Sequence, residues 1–117
     1  MSYQKEYVFF YYCLEMKEVL RRLKGKTNFV LVDLIGKYNS NKYRIEGAVT
    51  IPYDELMDRR RELIKYDEII LYSNNKACML SKKRSVGLTL AHHFRDVKVY
   101  EGGIEEWMSA GLPVEEY

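Results

Sequence analysis

Apolar residues along this chain follow two different spacings. Met16, Val19, Leu20 and Leu23 recur at helical intervals and stop at Gly25, which predicts a helix closed by a glycine. Phe29-Val-Leu-Val-Asp33 is instead a continuous apolar run, the pattern of a strand buried on both faces. The same reading predicts a short strand at Ala48-Val-Thr-Ile51 closed by Pro52, a third at Glu68-Ile-Ile-Leu-Tyr72 and a fourth over Val97 to Tyr100. Tyr53 to Ile64 is amphipathic, with Leu56, Leu63 and Ile64 on one side and Arg59, Arg60 and Arg61 mostly outside. A helix is expected from about Ser81 to Phe94, with Ser81 available as its cap, and another from Ile104 to Ala110, where Gly111 and Pro113 stop it. Apolar strands alternating with helices predict an α/β fold with a central parallel sheet covered on both faces. Ligands of such sheets sit beyond the carboxyl ends of the strands, so the loop from Ser73 to Leu80 is the expected functional edge.

Composition changes this picture little. At 117 residues the chain is the size of one domain, and no linker, repeat or low-complexity block divides it. Nineteen basic against 17 acidic residues leave a net charge of +2, which implies neither a nucleic-acid nor a membrane surface. The apolar stretch Tyr7 to Leu14 is too short to span a bilayer and lacks the flanks of a signal peptide, so it is expected to cover core, with Cys13 at a helix start. Cys13 and Cys78 show no metal-ligand spacing and no disulfide framework, and adjacent His92 and His93 on a helix point apart and do not chelate together. No metal or cofactor is expected, and a cytoplasmic location is the default for free cysteines.

The closing segment Val97-Lys-Val-Tyr-Glu-Gly102-Gly103-Ile-Glu-Glu-Trp107-Met-Ser-Ala-Gly111-Leu-Pro113-Val114, preceded in order by the strands at Phe29, Ala48 and Glu68, resembles the rhodanese-like domain family from about Tyr12 to Glu115. The resemblance implies a three-layer α/β/α domain spanning residues 1–117. It also implies sulfur transfer from thiosulfate or a persulfide donor to a thiol or cyanide. In that family the strand before the loop ends in a cysteine, whose sulfur is cradled by loop N–H groups and the next helix N-terminus. Here that position is Ser73, and a hydroxyl forms no persulfide. Some members carry a second cysteine five positions on, a spacing that Ser73-Asn-Asn-Lys-Ala-Cys78 matches. Ile35 stands near a usual arginine, and Tyr43-Arg44-Ile45-Glu46 replaces a Gly-His-Ile-Pro stretch, where Arg44 is a candidate to pair with Asp33.

Two function classes follow. In the leading one Ser73 leaves the domain weak or inactive, and a basic loop of Asn74, Lys76, Ser81, Lys82 and Arg84 binds a small sulfur anion or a persulfide-bearing protein. In the alternative, Cys78 carries the sulfur, its thiolate favoured by Lys76, Lys82 and Arg84. No acidic residue lies between Ser73 and Arg95, and cations are unfavourable in a helix first turn unless an anion is bound there. Cys78 and Arg84-Ser85 also fit by spacing the pattern of cysteine-dependent phosphatases and arsenate reductases, but this loop has no glycine and its cysteine does not follow the strand directly.

Overall fold

A computed structural model describes residues 11–36 and 42–117. Strands β1 (Tyr12–Leu14), β2 (Phe29–Asp33), β3 (Tyr43–Ile45), β4 (Val49–Thr50), β5 (Glu68–Tyr72), β6 (Val97–Tyr100) and β7 (Val114–Glu116) alternate with helices α1 (Met16–Lys24), α2 (Leu80–His92) and α3 (Gly103–Ser109). Five strands form one parallel sheet in the order β1-β6-β5-β2-β4, and β3 pairs antiparallel with β7 in a separate two-stranded ribbon. The expected α/β fold with a central parallel sheet is therefore the observed one.

Alternation along the strands divides the core into two layers. Leu31, Ile70, Tyr72 and Tyr100 face one side, where Val19 of α1 and Ile104 and Trp107 of α3 cover them. Val30, Val32, Ile69, Leu71 and Val97 face the other, under Leu88 of α2 and Leu56 and Leu63. Both faces are dry, which is why these strands read as unbroken apolar runs.

Several local expectations are corrected. The amphipathic stretch Tyr53 to Ile64 is a series of turns ending in a 3-10 helix at Arg60–Leu63, and Ile64 is 68% exposed. Its turn geometry still buries Leu56 and Leu63, and Arg59 is held at the surface between Glu55 and Glu62. Of the apolar stretch Tyr7 to Leu14, residues 7–10 lie outside the described residues, and Tyr12–Leu14 forms an edge strand, so Cys13 sits in a strand and not at a helix start. Three residues are too few for any periodicity to show. Helix α2 begins at Leu80, so Ser81 is its second residue and Met79 occupies the cap position without a side-chain hydrogen bond.

Candidate functional site

Strand β5 ends at Tyr72, and Ser73 begins the loop that leads into α2 at the carboxyl edge of the sheet. The Gly102–Gly103 turn holds this loop by its main chain. The N–H of Ile104 donates to the Ser73 carbonyl at 3.0 Å and that of Glu105 to the Asn74 carbonyl at 3.0 Å. Gly103 has φ +64, and a Cβ built there would stand 2.3 Å from the Ser73 carbonyl oxygen, so the close approach requires glycine. Beyond that clamp, Asn75 Nδ2 donates to Glu105 at 2.8 Å, Ala77 N–H to Asn75 Oδ1 at 3.0 Å and Cys78 N–H to the Asn75 carbonyl at 3.1 Å. This turn brings Cys78 back over the start of the loop. Its Sγ lies 3.1 Å from the Oγ of Ser73, itself only 4% exposed.

The remaining sequence candidates separate. Asn74 and Lys76 are exposed on the loop, and Ser81 is buried in the first turn of α2. Lys82 has its ammonium committed inside the protein, donating to the Lys76 carbonyl at 2.9 Å and pairing with Glu101 at 3.2 Å. Glu101 lies outside the window from Ser73 to Arg95 that reads as purely basic in sequence, and only the fold brings it to the loop. Arg84 is engaged with Tyr53: its Nε donates to the Tyr53 carbonyl at 2.8 Å and its guanidinium lies 5.4 Å from the Tyr53 ring centroid. Arg44 reaches buried Asp33 through a relay and not directly, donating to Thr50 Oγ1 at 3.0 Å while Thr50 donates to Asp33 Oδ2 at 3.1 Å; Glu115 takes its Nε.

Sequence reasoning passed over Glu101 as a hub. Its carboxylate accepts from Tyr11 OH at 3.2 Å as well as from Lys82 and the Cys13 thiol. Burial acts to raise this carboxyl, but the three donors outweigh it and hold the group below the usual range. Cys13 responds oppositely: desolvation, then the Glu101 carboxylate, push its thiol up to about 11. A cleft of about 820 Å³ runs past Cys13, Glu101, Asn75, Lys76 and Glu105, beside the loop; neither Ser73 nor Cys78 lines it. Both cysteines are free thiols, and the described residues hold no cluster of three or more potential metal ligands.

A parallel sheet flanked by helices on both faces, whose carboxyl edge carries a loop clamped by a Gly-Gly turn, defines the class as an α/β domain with its candidate site at that edge. The chain belongs to the rhodanese-like domain family, whose model matches residues 15–110. Solved structures similar to it include a full-length protein from Lactobacillus plantarum (23% identity, TM-score 0.78, 90% of this chain and 88% of that one). Another is the rhodanese-like domain of the Alr3790 protein from Anabaena sp. (23%, TM-score 0.72, 90% and 79%). A thiosulfate sulfurtransferase from Pseudomonas aeruginosa matches at 22% identity and TM-score 0.71, over 91% of this chain but 19% of that one. At these identities the likeness is one of fold. Among curated proteins, an HTH-type transcriptional regulator of Mycobacterium tuberculosis, Rv0324, is 34% identical over 104 residues, and the chain spans 42% of its length.

Proposed function

We propose that this domain carries sulfane sulfur on Cys78, with Ser73 as the hydrogen-bond partner of that sulfur and not the nucleophile. The observation that supports this reading is the 3.1 Å separation of Ser73 Oγ and Cys78 Sγ, which sets a thiol beside the position where the family keeps its own. The Cys78 thiolate attacks the outer sulfur of thiosulfate; a new S–S bond forms as the S–S bond of thiosulfate breaks, and the electron pair leaves with sulfite. A thiol or cyanide acceptor then takes the outer sulfur and regenerates the thiolate, so no external oxidant or reductant enters. The first turn of α2 offers N–H groups without intrahelical acceptors to the anionic persulfide, and exposed Lys76 meets the incoming sulfur anion. A persulfide-bearing protein is the larger donor of the same chemistry. The reading suits a reducing, cytoplasmic setting in which both thiols stay free.

Thiosulfate treatment followed by mass spectrometry tests it. One added sulfur is expected on Cys78 and none on Cys13, whose thiol is protonated at neutral pH because its pKa is pushed up to about 11. Cys78→Ser loses the label. An unlabelled Cys78 in the folded wild-type protein, or a label that survives Cys78→Ser, overturns the reading. A second reading, a module that binds a sulfur anion or a persulfide-bearing protein without turnover, is favoured by the regulator among its relatives. Saturable thiosulfate binding with no covalent label is its signature.

A further inference from the structure

Resting on Cys78 as the sulfur carrier, we propose that Lys82 is a positioning residue, a brace that fixes the loop presenting Cys78, and not a ligand for the substrate anion. Its side chain is 10% exposed, and its ammonium joins two parts of the chain that are distant in sequence. It donates to the Lys76 carbonyl at the loop tip at 2.9 Å, pairs with Glu101 just past β6 at 3.2 Å and lies 5.9 Å from the Tyr11 ring centroid. A buried cation in a helix first turn opposes the helix dipole and loses hydration. Glu101 offsets both terms, so the pair is neutral toward a bound anion while the loop is tied to the sheet. Lys76 lies one residue before Ala77 and two before Cys78, whose N–H groups close the turn on Asn75. Holding the Lys76 carbonyl therefore fixes the turn that sets Cys78 Sγ against Ser73.

The ion pair and the loop contact separate by substitution. Lys82→Met removes both, whereas the exchange Lys82→Glu with Glu101→Lys keeps a pair of opposite charges but leaves no donor for the Lys76 carbonyl. In the full chain, Lys82→Met is expected to lower the saturating rate of sulfur loading by about tenfold or more, the loss of a hydrogen bond from a charged donor, while KM for thiosulfate stays unchanged. The exchange variant is expected to recover much of the melting temperature without recovering the loading rate. Amide hydrogen exchange at Ala77 and Cys78, which needs no catalysis, is expected to accelerate by about tenfold in both variants. A raised KM at constant rate would make Lys82 an anion ligand, and recovery of both rate and exchange protection by the charge swap would make it a structural ion pair; either overturns the brace. If wild-type Cys78 takes up no sulfur, the carrier reading fails, and the exchange protection of Ala77 and Cys78 still decides the brace.

Discussion

Gly103→Ala should destabilise this domain far more than Gly102→Ala, although the two residues are neighbours in one turn. At position 103 the backbone has φ +64, where an L-residue costs about 1–2 kcal/mol. The added Cβ would stand 2.3 Å from the Ser73 carbonyl oxygen and 2.7 Å from that of Asn74, both backbone atoms, so relief requires the loop to retreat. Retreat stretches the Ile104 and Glu105 N–H bonds to those carbonyls, each worth about 1 kcal/mol net. The reduced freedom of the unfolded alanine chain returns roughly 0.4–1 kcal/mol, leaving a loss of about 3 kcal/mol. At position 102, φ is −61 and the close atoms belong to the Glu106 side chain, with Oε1 at 2.1 Å. Glu106 swings aside and gives up its bond from Tyr100 OH, now 2.7 Å, at a cost of about 1 kcal/mol. Urea denaturation followed by the fluorescence of Trp107, the single tryptophan, measures both. With a urea slope of about 1–2 kcal/mol/M, Gly103→Ala should lower the midpoint by roughly 2 M. A loss for Gly103→Ala below about 1 kcal/mol, or equal losses for the two variants, would refute the close approach as the reason for glycine.

Two further predictions concern groups away from the loop. Glu68 accepts from Arg22 at 2.9 Å and from Lys98; burial acts to raise its carboxyl, but these two partners hold it below the usual range. Its stabilisation is therefore complete above the unfolded carboxyl pKa of about 4.3 and is lost as pH falls through the lower folded value. Wild type should exceed Glu68→Gln by about 2 kcal/mol at pH 7, with the gap closing in urea titrations run below about pH 4, and a gap independent of pH would contradict the assignment. Tyr72, fully buried, accepts the N–H of Ile45 at 3.0 Å on its hydroxyl, and burial pushes the pKa of that hydroxyl far up so that it stays neutral. Tyr72→Phe leaves that N–H without its acceptor and should cost about 1–3 kcal/mol in thermal unfolding; an unchanged melting temperature would count against the bond.

The major strands were legible because each is long enough to show its burial pattern and dry on both faces: β2 and β5 run over the residues expected, Phe29–Asp33 and Glu68–Tyr72. Strands β1, β3 and β7 were not, since three residues carry no period and pairing across the chain, such as Arg44 with Glu115, leaves no local mark. The Gly-Gly turn was legible through the resemblance, and at Gly103 the reason is physical, since the backbone approach there admits no other residue. The electrostatics of the loop were not, because charge along a sequence window omits partners from other strands: Glu101 reaches Lys82 across 19 positions and Tyr53 takes Arg84 across 31. The approach of Cys78 to Ser73 depends on a turn closed by Asn75, and the spacing of five alone left it open.

Clamping the loop by its carbonyls separates shape from reactivity. The N–H groups of Ile104 and Glu105 grip the main chain of Ser73 and Asn74, and these two bonds read neither residue's side chain. The residue at position 73 is thus exchangeable in a way that Gly103 is not: serine, alanine or cysteine all present the same carbonyl to the same donors. The clamp thus acts as a fixed mount, and under the proposed carrier role the sulfur can stand at position 78 instead of 73 without the core being rebuilt.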